Sequence, residues 1–574
     1  MDEDADAKGT RASGPSLTGS TPPFTSLSPD NPADAPQRAR LHGMGLTSAQ
    51  MARPFVGVVT SWNEASPGNI ALARQAQAVK RGVRDAGGTP REFTTISGAG
   101  TGSSLINREL IADSIEAMVR AHGYMALVGL AGCSTSLAAM MMVMARLDLP
   151  SVIMFGGAAL PGHCFGRDIT IQDVYEAVGA HAAGAISDDE LQAIETAACP
   201  SAGAGAGQFA ANTMACVSEA IGLALPGAAG MPAAYDSRDD FAHKAGVTVM
   251  DLLDRNIRPR DILTGQAFEN AASIVAASGG ATCAALHLSA IAHECGMDFD
   301  LTTIGKIWRQ TPRLADLKPG GTYLLRDLHD AGGTPALMRA MLDAGCLKGL
   351  CLTVTGNSIA ENLQNVAVPS GHDVIRSSDR HPDRFPARLH VLHGNLAPDG
   401  AVMVADDMNE LHFVGRARCF DSEAAAFDVV MHRDYDDGDV FVIRHQGPKG
   451  GPGMPSVGSV AAALSGQGAS GRVAVITDGS LSGIVRGICV GHIGPEAGLG
   501  GPISRVQDGN SITIDAKAGR IDLDIEDAAL AARRITGAAG DYSGVSRKYV
   551  DSAGPAAQGA VTHPGPITSE RDNS

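Results

Sequence analysis

At 574 residues the chain exceeds what one hydrophobic core covers, and 44% apolar content excludes wholesale disorder, so two domains with tails are expected. A net charge of −17 without any Lys/Arg block excludes nucleic acid as a partner. Ten scattered cysteines with no CxxC pair exclude a disulfide framework or a zinc knuckle, and the most apolar window, Leu137–Ala145, is too short to span a bilayer, so a cytoplasmic protein with no membrane partner is expected.

Residues 1–37 are rich in Ser, Thr, Pro, Gly and Asp, have no apolar period and read as a disordered tail. Residues 38–366 read as an α/β domain. Pro54–Thr60 is a continuous apolar run, as in a strand covered on both faces. The loop SWNEASPGN then leads into a helix on which Ile70, Ala73, Ala76, Val79 and Val83 recur. The alternation repeats with a helix over Arg108–Ala121, a strand over Ala126–Leu130, a loop through Cys133–Ser136 into a Met-rich helix, and a strand over Ser151–Phe155. Leu350–Val354 is expected to be the last such strand. This order predicts a parallel sheet with ligand loops at the C-terminal ends of its strands. Polar residues 367–386 read as a linker. Residues 387–561 read as a strand-rich domain, with strands over Asp439–His445 and Arg472–Thr477 and a hairpin of Ser511–Asp515 with Arg520–Ile525. Residues 562–574 read as a loose tail.

Two glycine-rich loops stand out. Gly447–Pro455 reads GPKGGPGMP, and the strand before Thr477 breaks into Asp478-Gly479-Ser480-Leu481-Ser482-Gly483, which holds the small hydroxyl of Ser482 at a strand end. By themselves these loops read equally well as tight turns or as backbone packed around a small ligand. Further along come GHIGPEA and GGPI. Upstream, in order, lie SWNEASPGN, NRELIADSIE, ARLDLPSVIMFGG, ANTMA, DLHDAGGTPALM and HGNLAPDGAV. With these motifs the chain resembles the dihydroxy-acid and sugar-acid (phosphogluconate) dehydratase family from about Leu41 to about Val561.

The resemblance implies an N-terminal parallel-sheet α/β domain closed by a C-terminal β-barrel-like domain, with the active site between them, in a homodimer. It implies loss of water from a 2,3-dihydroxy acid to give a 2-keto acid. An iron–sulfur cluster on three cysteines would act as Lewis acid at the 3-hydroxyl, Mg²⁺ would hold the carboxylate, and a serine would act as base. This sequence departs from the pattern at those ligands. The family's P-C-N reads Pro67-Gly68-Asn69, its C-D-K reads Cys133-Ser134-Thr135, and its G-A-C-G-G reads Gly203-Ala204-Gly205-Ala206-Gly207. The stretch Gly98–Asn107 is shortened and carries no carboxylate, Y-E-G-P-K-G reads His445-Gln446-Gly447-Pro448-Lys449-Gly450, and the Glu expected after GPGMP is Ser456. Cys133 is thus the one retained cluster position, while Gly68 and Gly205 replace the other two and Ser134, Thr135 and Ser456 replace Mg²⁺ ligands. Substitute thiolates would have to come from Cys164, Cys199 or Cys283, each as readily a buried small residue.

The candidate catalytic residues are Ser482, retained from the family's base position, and His445, the imidazole beside the altered ligands. Lys449, Asn212 and Ser480 are the candidate substrate contacts. The plain alternative for each is a turn or packing residue, and the same holds for His492 and Glu496. The leading expectation is a dehydratase-family, hydro-lyase-like protein that acts on a small hydroxy-carboxylate without a cluster, in a specialised biosynthetic pathway. A non-catalytic homologue, binding a metabolite or pairing with an intact dehydratase in a mixed dimer, is the alternative. An ordinary dihydroxy-acid dehydratase with relocated ligands ranks below it.

Overall fold

Phe55–Thr60 (β1) is buried at every position because both of its faces are covered. The computed structural model describes residues 31–98, 104–376, 387–406, 408–535 and 540–565. β1 leads through the helix Leu72–Asp85 (α1) to Thr89–Thr94 (β2). The helix Ser104–His122 (α2) leads to Ala126–Ala131 (β3), and the helix Ser134–Leu147 (α3) to Ser151–Phe155 (β4). The strands lie in the order β2-β1-β3-β4, all parallel. α3 is buried at each position from Ser136 to Ala145, which explains a run apolar on every side. Ala210–Ala220 (α4) and Cys283–Glu294 (α6) pack against α3, and Ser237–Arg255 (α5) packs against α1, β3 and β4.

α1 and α5 touch backbone to backbone. A Cβ on Gly82 would fall against the His243 carbonyl, and one on Gly246 against the Val79 carbonyl. Gly82→Ala is therefore expected to cost about 1–3 kcal/mol. The check is a lower urea midpoint at unchanged slope.

The strand expected at Leu350–Val354 does not form. Leu350 is exposed, the only β pairing is an isolated bridge from Leu352 to Ser358, and Cys351 and Val354 join the core from a loop, with the Val354 amide on the Gly222 carbonyl (2.8 Å). β2 went unpredicted because Pro90, Arg91 and Glu92 break its apolar run.

The C-terminal sheet is built from Leu389–Leu392 (β5), Gly400–Val404 (β6), His412–Phe420 (β7), Asp439–Ile443 (β8), Ala474–Thr477 (β9), Cys489–Gly494 (β10), Ser511–Asp515 (β11) and Arg520–Leu523 (β12). Their order is β12-β11-β7-β8-β9-β10-β6-β5. His393 joins the two edges, donating to Gly519 (2.9 Å) and accepting from Ile521 (3.0 Å), so the sheet is a nearly closed barrel. Alternation sorts each strand. Val440 and Val442 of β8 join Ala474, Ile476 and Val490 inside the barrel, whereas Phe441 and Ile443 face outward into the core of the α/β domain. Arg388, 2% exposed, bolts the layers together through Asp406 (2.7 Å), the Gly280 carbonyl (3.2 Å) and the Val485 carbonyl (2.7 Å).

Residues 374–376 are not free linker, since Val374 accepts from Asp316 and Arg376 donates to Leu314; 377–386 lie outside the described residues. The loose tail expected from 562 begins with two anchored residues. Thr562 donates to Glu109 and His563 pairs with Glu294. The expected tail over 1–37 is described only from residue 31, and Ala35 already begins a helix. Among the described residues no helix is long and apolar enough to cross a membrane.

Candidate active site

Two buried acids hold the motif loops together. Asp478 accepts from the Gln446 amide (2.9 Å) and the Ala497 amide (2.8 Å), tying together the three motif loops. Burial raises its carboxyl, and those same bonds oppose the rise. Glu496 accepts from the amides of Lys449 (3.0 Å) and Gly450 (2.9 Å), and burial pushes it up to about 7. TDG, GHIGPE and GPKGG are thus one structural unit: the acids of two motifs shape the glycine loop of the third. Within that frame Ser456–Val457 pairs in parallel with Ser480–Leu481, and Ser482 donates its amide to Val457 (2.9 Å).

These residues form one wall of a cavity of about 290 Å³ between the domains. Ser456, Ser480 and Ser482 come from the barrel side. Ser66 and Asn69, beyond β1, and Cys133, Ser134 and Thr135, beyond β3, come from the α/β side with Cys283 and His287 of α6. The parallel sheet therefore presents its strand-end loops to the barrel's glycine loops, as the sequence predicts. Eight hydroxyl side chains line the space.

Of the remaining candidates, His445, Lys449 and Asn212 do not line the cavity. His445 is buried in the left-handed region (φ 59°) behind the glycine loop. Lys449 sends its Nζ to the Val550 carbonyl (3.0 Å), fastening the C-terminal helix Gly544–Ser552. Asn212 clamps a loop, donating to the carbonyls of Gly205 and Gly207 (2.6 Å).

The metal positions can be tested on this geometry. A Cβ at Gly68 would lie 2.5 Å from the Gly132 carbonyl oxygen, and one at Gly205 would lie 2.6 Å from the Phe209 ring. Neighbouring backbone and an aromatic ring occupy the space a thiol would need, so the three-cysteine set does not fit here. Cys133 caps α3, its sulfur 3.0 Å from Ser136 Oγ and accepting the Ser136 amide at 3.5 Å. Cys164 packs beside Ile169 and Ile194, Cys199 is exposed, and Cys283 alone of the three substitutes shares the cavity with Cys133. Burial pushes the Cys283 thiol up to about 12. Among the described residues no three His, Cys, Asp or Glu side chains converge as a metal site, and residues 99–103 of the shortened stretch lie outside them.

One histidine lines the cavity and a second lies behind it, against Ser480. His492 Nε2 lies 3.4 Å from Ser480 Oγ, and burial lowers it to about 4. His287 is 3% exposed and lines the cavity, with no partner for its Nδ1. Burial, then Arg108 and His492, hold it well below the ordinary imidazole range, so both rings are neutral at pH 7. Sequence reasoning missed His287 because it sits in an apolar helical run, where a lone imidazole reads as core.

Residues 53–362 match the model of the dihydroxy-acid/6-phosphogluconate dehydratase N-terminal domain, and 373–560 that of the C-terminal domain. The chain belongs to the dihydroxy-acid/6-phosphogluconate dehydratase family. Family members similar to it include dihydroxy-acid dehydratase 2 of Bradyrhizobium diazoefficiens, 54% identical over 93% of this chain and 95% of the relative. Dihydroxy-acid dehydratase of Parvibaculum lavamentivorans matches at 54%, with the same coverage. That of Metallosphaera sedula is 46% identical over 87% of this chain and 91% of the relative. The family's domain pair thus spans both layers and places the cavity at their junction.

Proposed function

We propose that this dehydratase-family chain acts on a small hydroxy-carboxylate, in the first place a 2,3-dihydroxy acid, as a cytoplasmic homodimeric enzyme of the hydro-lyase type. The cavity carries the reading, since it gathers the hydroxyls of the family's motif loops from both domains at Ser482. Identity of 54% to proteins named dihydroxy-acid dehydratase supports a dihydroxy acid as substrate. It also weighs for an enzyme and against a non-catalytic metabolite binder or partner subunit. Ser482 would hydrogen-bond the substrate hydroxyls, and the neutral ring of His287 would accept or donate a hydrogen bond in the same cavity.

A second reading, an ordinary dihydroxy-acid dehydratase with relocated ligands, is the one that the 54% identity favours over a degraded form, and it has one observation of its own: Cys133 and Cys283 share the cavity. Conversion of 2,3-dihydroxybutanoate to 2-oxobutanoate, with iron and acid-labile sulfide measured on protein purified without oxygen, separates the two. Turnover without bound iron supports the first reading. Turnover that follows iron and is lost in both Cys133→Ser and Cys283→Ser supports the second. No binding and no turnover overturns the proposal. Ser482→Ala is expected to lower kcat about 100-fold or more, and an unchanged kcat removes Ser482 from the chemistry. Light scattering reads the dimer.

A further inference from the structure

We propose that the cavity is an oxyanion site built from helix N-termini, and that it holds the carboxylate of a hydroxy acid without a divalent cation. The carboxylate's identity rests on the function proposed above; the oxyanion site does not.

Among the described residues lining the cavity there is no Asp, Glu, Lys or Arg. Its field comes from the backbone. Ser104 opens α2, Cys133 caps α3, Ala210 opens α4 and Cys283 opens α6, and all four line the same space. These helices are 19, 14, 11 and 12 residues long. The first amides of a helix have no intrahelical acceptor, and each N-terminus carries about half a positive elementary charge. Several such donors are already used: the Leu105 amide on the Gly453 carbonyl (3.1 Å), the Ser136 amide on the Cys133 sulfur (3.5 Å), and the Ala284 and Ala285 amides on the Ala281 and Thr282 carbonyls (3.3 and 3.1 Å). A divalent cation would meet this field with no carboxylate to offset it, whereas an anion enters with its charge compensated.

The second observation is His287. It is 97% buried by its 3% exposure, lines the cavity and leaves Nδ1 without a partner. A buried ring nitrogen left unpaired is costly, and a bound carboxylate or hydroxyl supplies what the protein does not.

Charge-paired alkylation tests the field on the full-length protein in EDTA. Iodoacetate carries a carboxylate and iodoacetamide does not. Exposed Cys199 serves as internal reference, and the modified peptides are counted by mass spectrometry. The iodoacetate-to-iodoacetamide rate ratio at Cys133 is expected to exceed that at Cys199 about tenfold or more. Ser134→Asp, which sets a carboxylate in the first turn of α3, is expected to return it to the reference. Equal ratios in the unaltered chain, no response to Ser134→Asp, or a Cys133 that neither two-carbon reagent reaches overturns the proposal.

Calorimetry with 2,3-dihydroxybutanoate and its amide, again in EDTA, tests the ligand. The acid is expected to bind about tenfold or more tighter than the amide, and His287→Asn to weaken the acid about tenfold. Equal binding of acid and amide, or binding that requires Mg²⁺, overturns the cation-free carboxylate site. Should the acid fail to bind while the alkylation preference holds, the function proposed above is wrong and the oxyanion site stands.

Discussion

Arg108→Ala is expected to cost about 3–5 kcal/mol and to free the residues near 560. Arg108 is fully buried, and its guanidinium reaches the Gly559 carbonyl (2.7 Å), the Ala560 carbonyl (3.0 Å) and Glu109 (2.8 Å). Glu109, 4% exposed, also accepts from Thr562 Oγ1 (3.0 Å). Truncation leaves a buried carboxylate without its cation and two carbonyls without their donor, and the penalty is that of the uncompensated groups. Arg108→Lys offers one point charge for a forked contact and is expected to recover only part of the loss. Urea unfolding gives the magnitude, and limited proteolysis reports cleavage near Gly559. A loss below about 1 kcal/mol would mean that the fork contributes no more than a surface pair.

The second large effect is expected at Glu294, whose side chain is 1% exposed. It takes Arg146 in a forked pair (3.1 and 2.7 Å) and His563 Nε2 at 3.0 Å. Glu294→Ala is expected to cost about 3 kcal/mol, tempered because Arg146 keeps Asp113 and Glu116. Burial raises the Glu294 carboxyl, but the bonds from His563 and Arg146 outweigh it and hold the group below 4.5. The bond to Glu294 raises His563 above 6.5 against its own burial. The glutamate's contribution is present above its unfolded value and lost as pH falls through the lower folded one. The histidine's contribution is full below its unfolded value and lost as pH rises through the higher folded one. The stability gap between the unaltered chain and Glu294→Ala is therefore widest between about pH 4.5 and 6.5 and narrows on both sides. Urea midpoints from pH 4 to 9 measure it, and a gap that stays flat across that range would sink the linkage.

Much of the fold was legible because its signals are local. Phe55–Thr60 and Ser151–Phe155 are short apolar runs between turn residues, and such runs read as strands of a covered parallel sheet. The Ser511–Asp515 hairpin announces itself by alternation and by Ala516–Gly519. Leu350–Val354 offers the same local signal but makes only an isolated bridge to Ser358. At the site, Ser480, Ser482 and Cys133 could be read from motifs, since strand-end loops face ligands. Lys449 and His445 could not, because which way a glycine-rich loop turns its side chains depends on Asp478 and Glu496 pulling its amides inward. His287 was hidden for another reason: its importance comes from a wall supplied by residues about 190 positions later, Ser480 and Ser482.

The clamp on Gly559 and Ala560 also fixes the order in which the chain can mature. Arg108 and the Gly559 carbonyl are 451 residues apart. At 5–20 residues per second that interval occupies a ribosome for about 20–90 seconds. Throughout it Arg108 lacks the two carbonyls that accept from it in the folded chain. Arg108 can therefore reach its final partners only once residues 559 and 560 have been made, 451 positions after it.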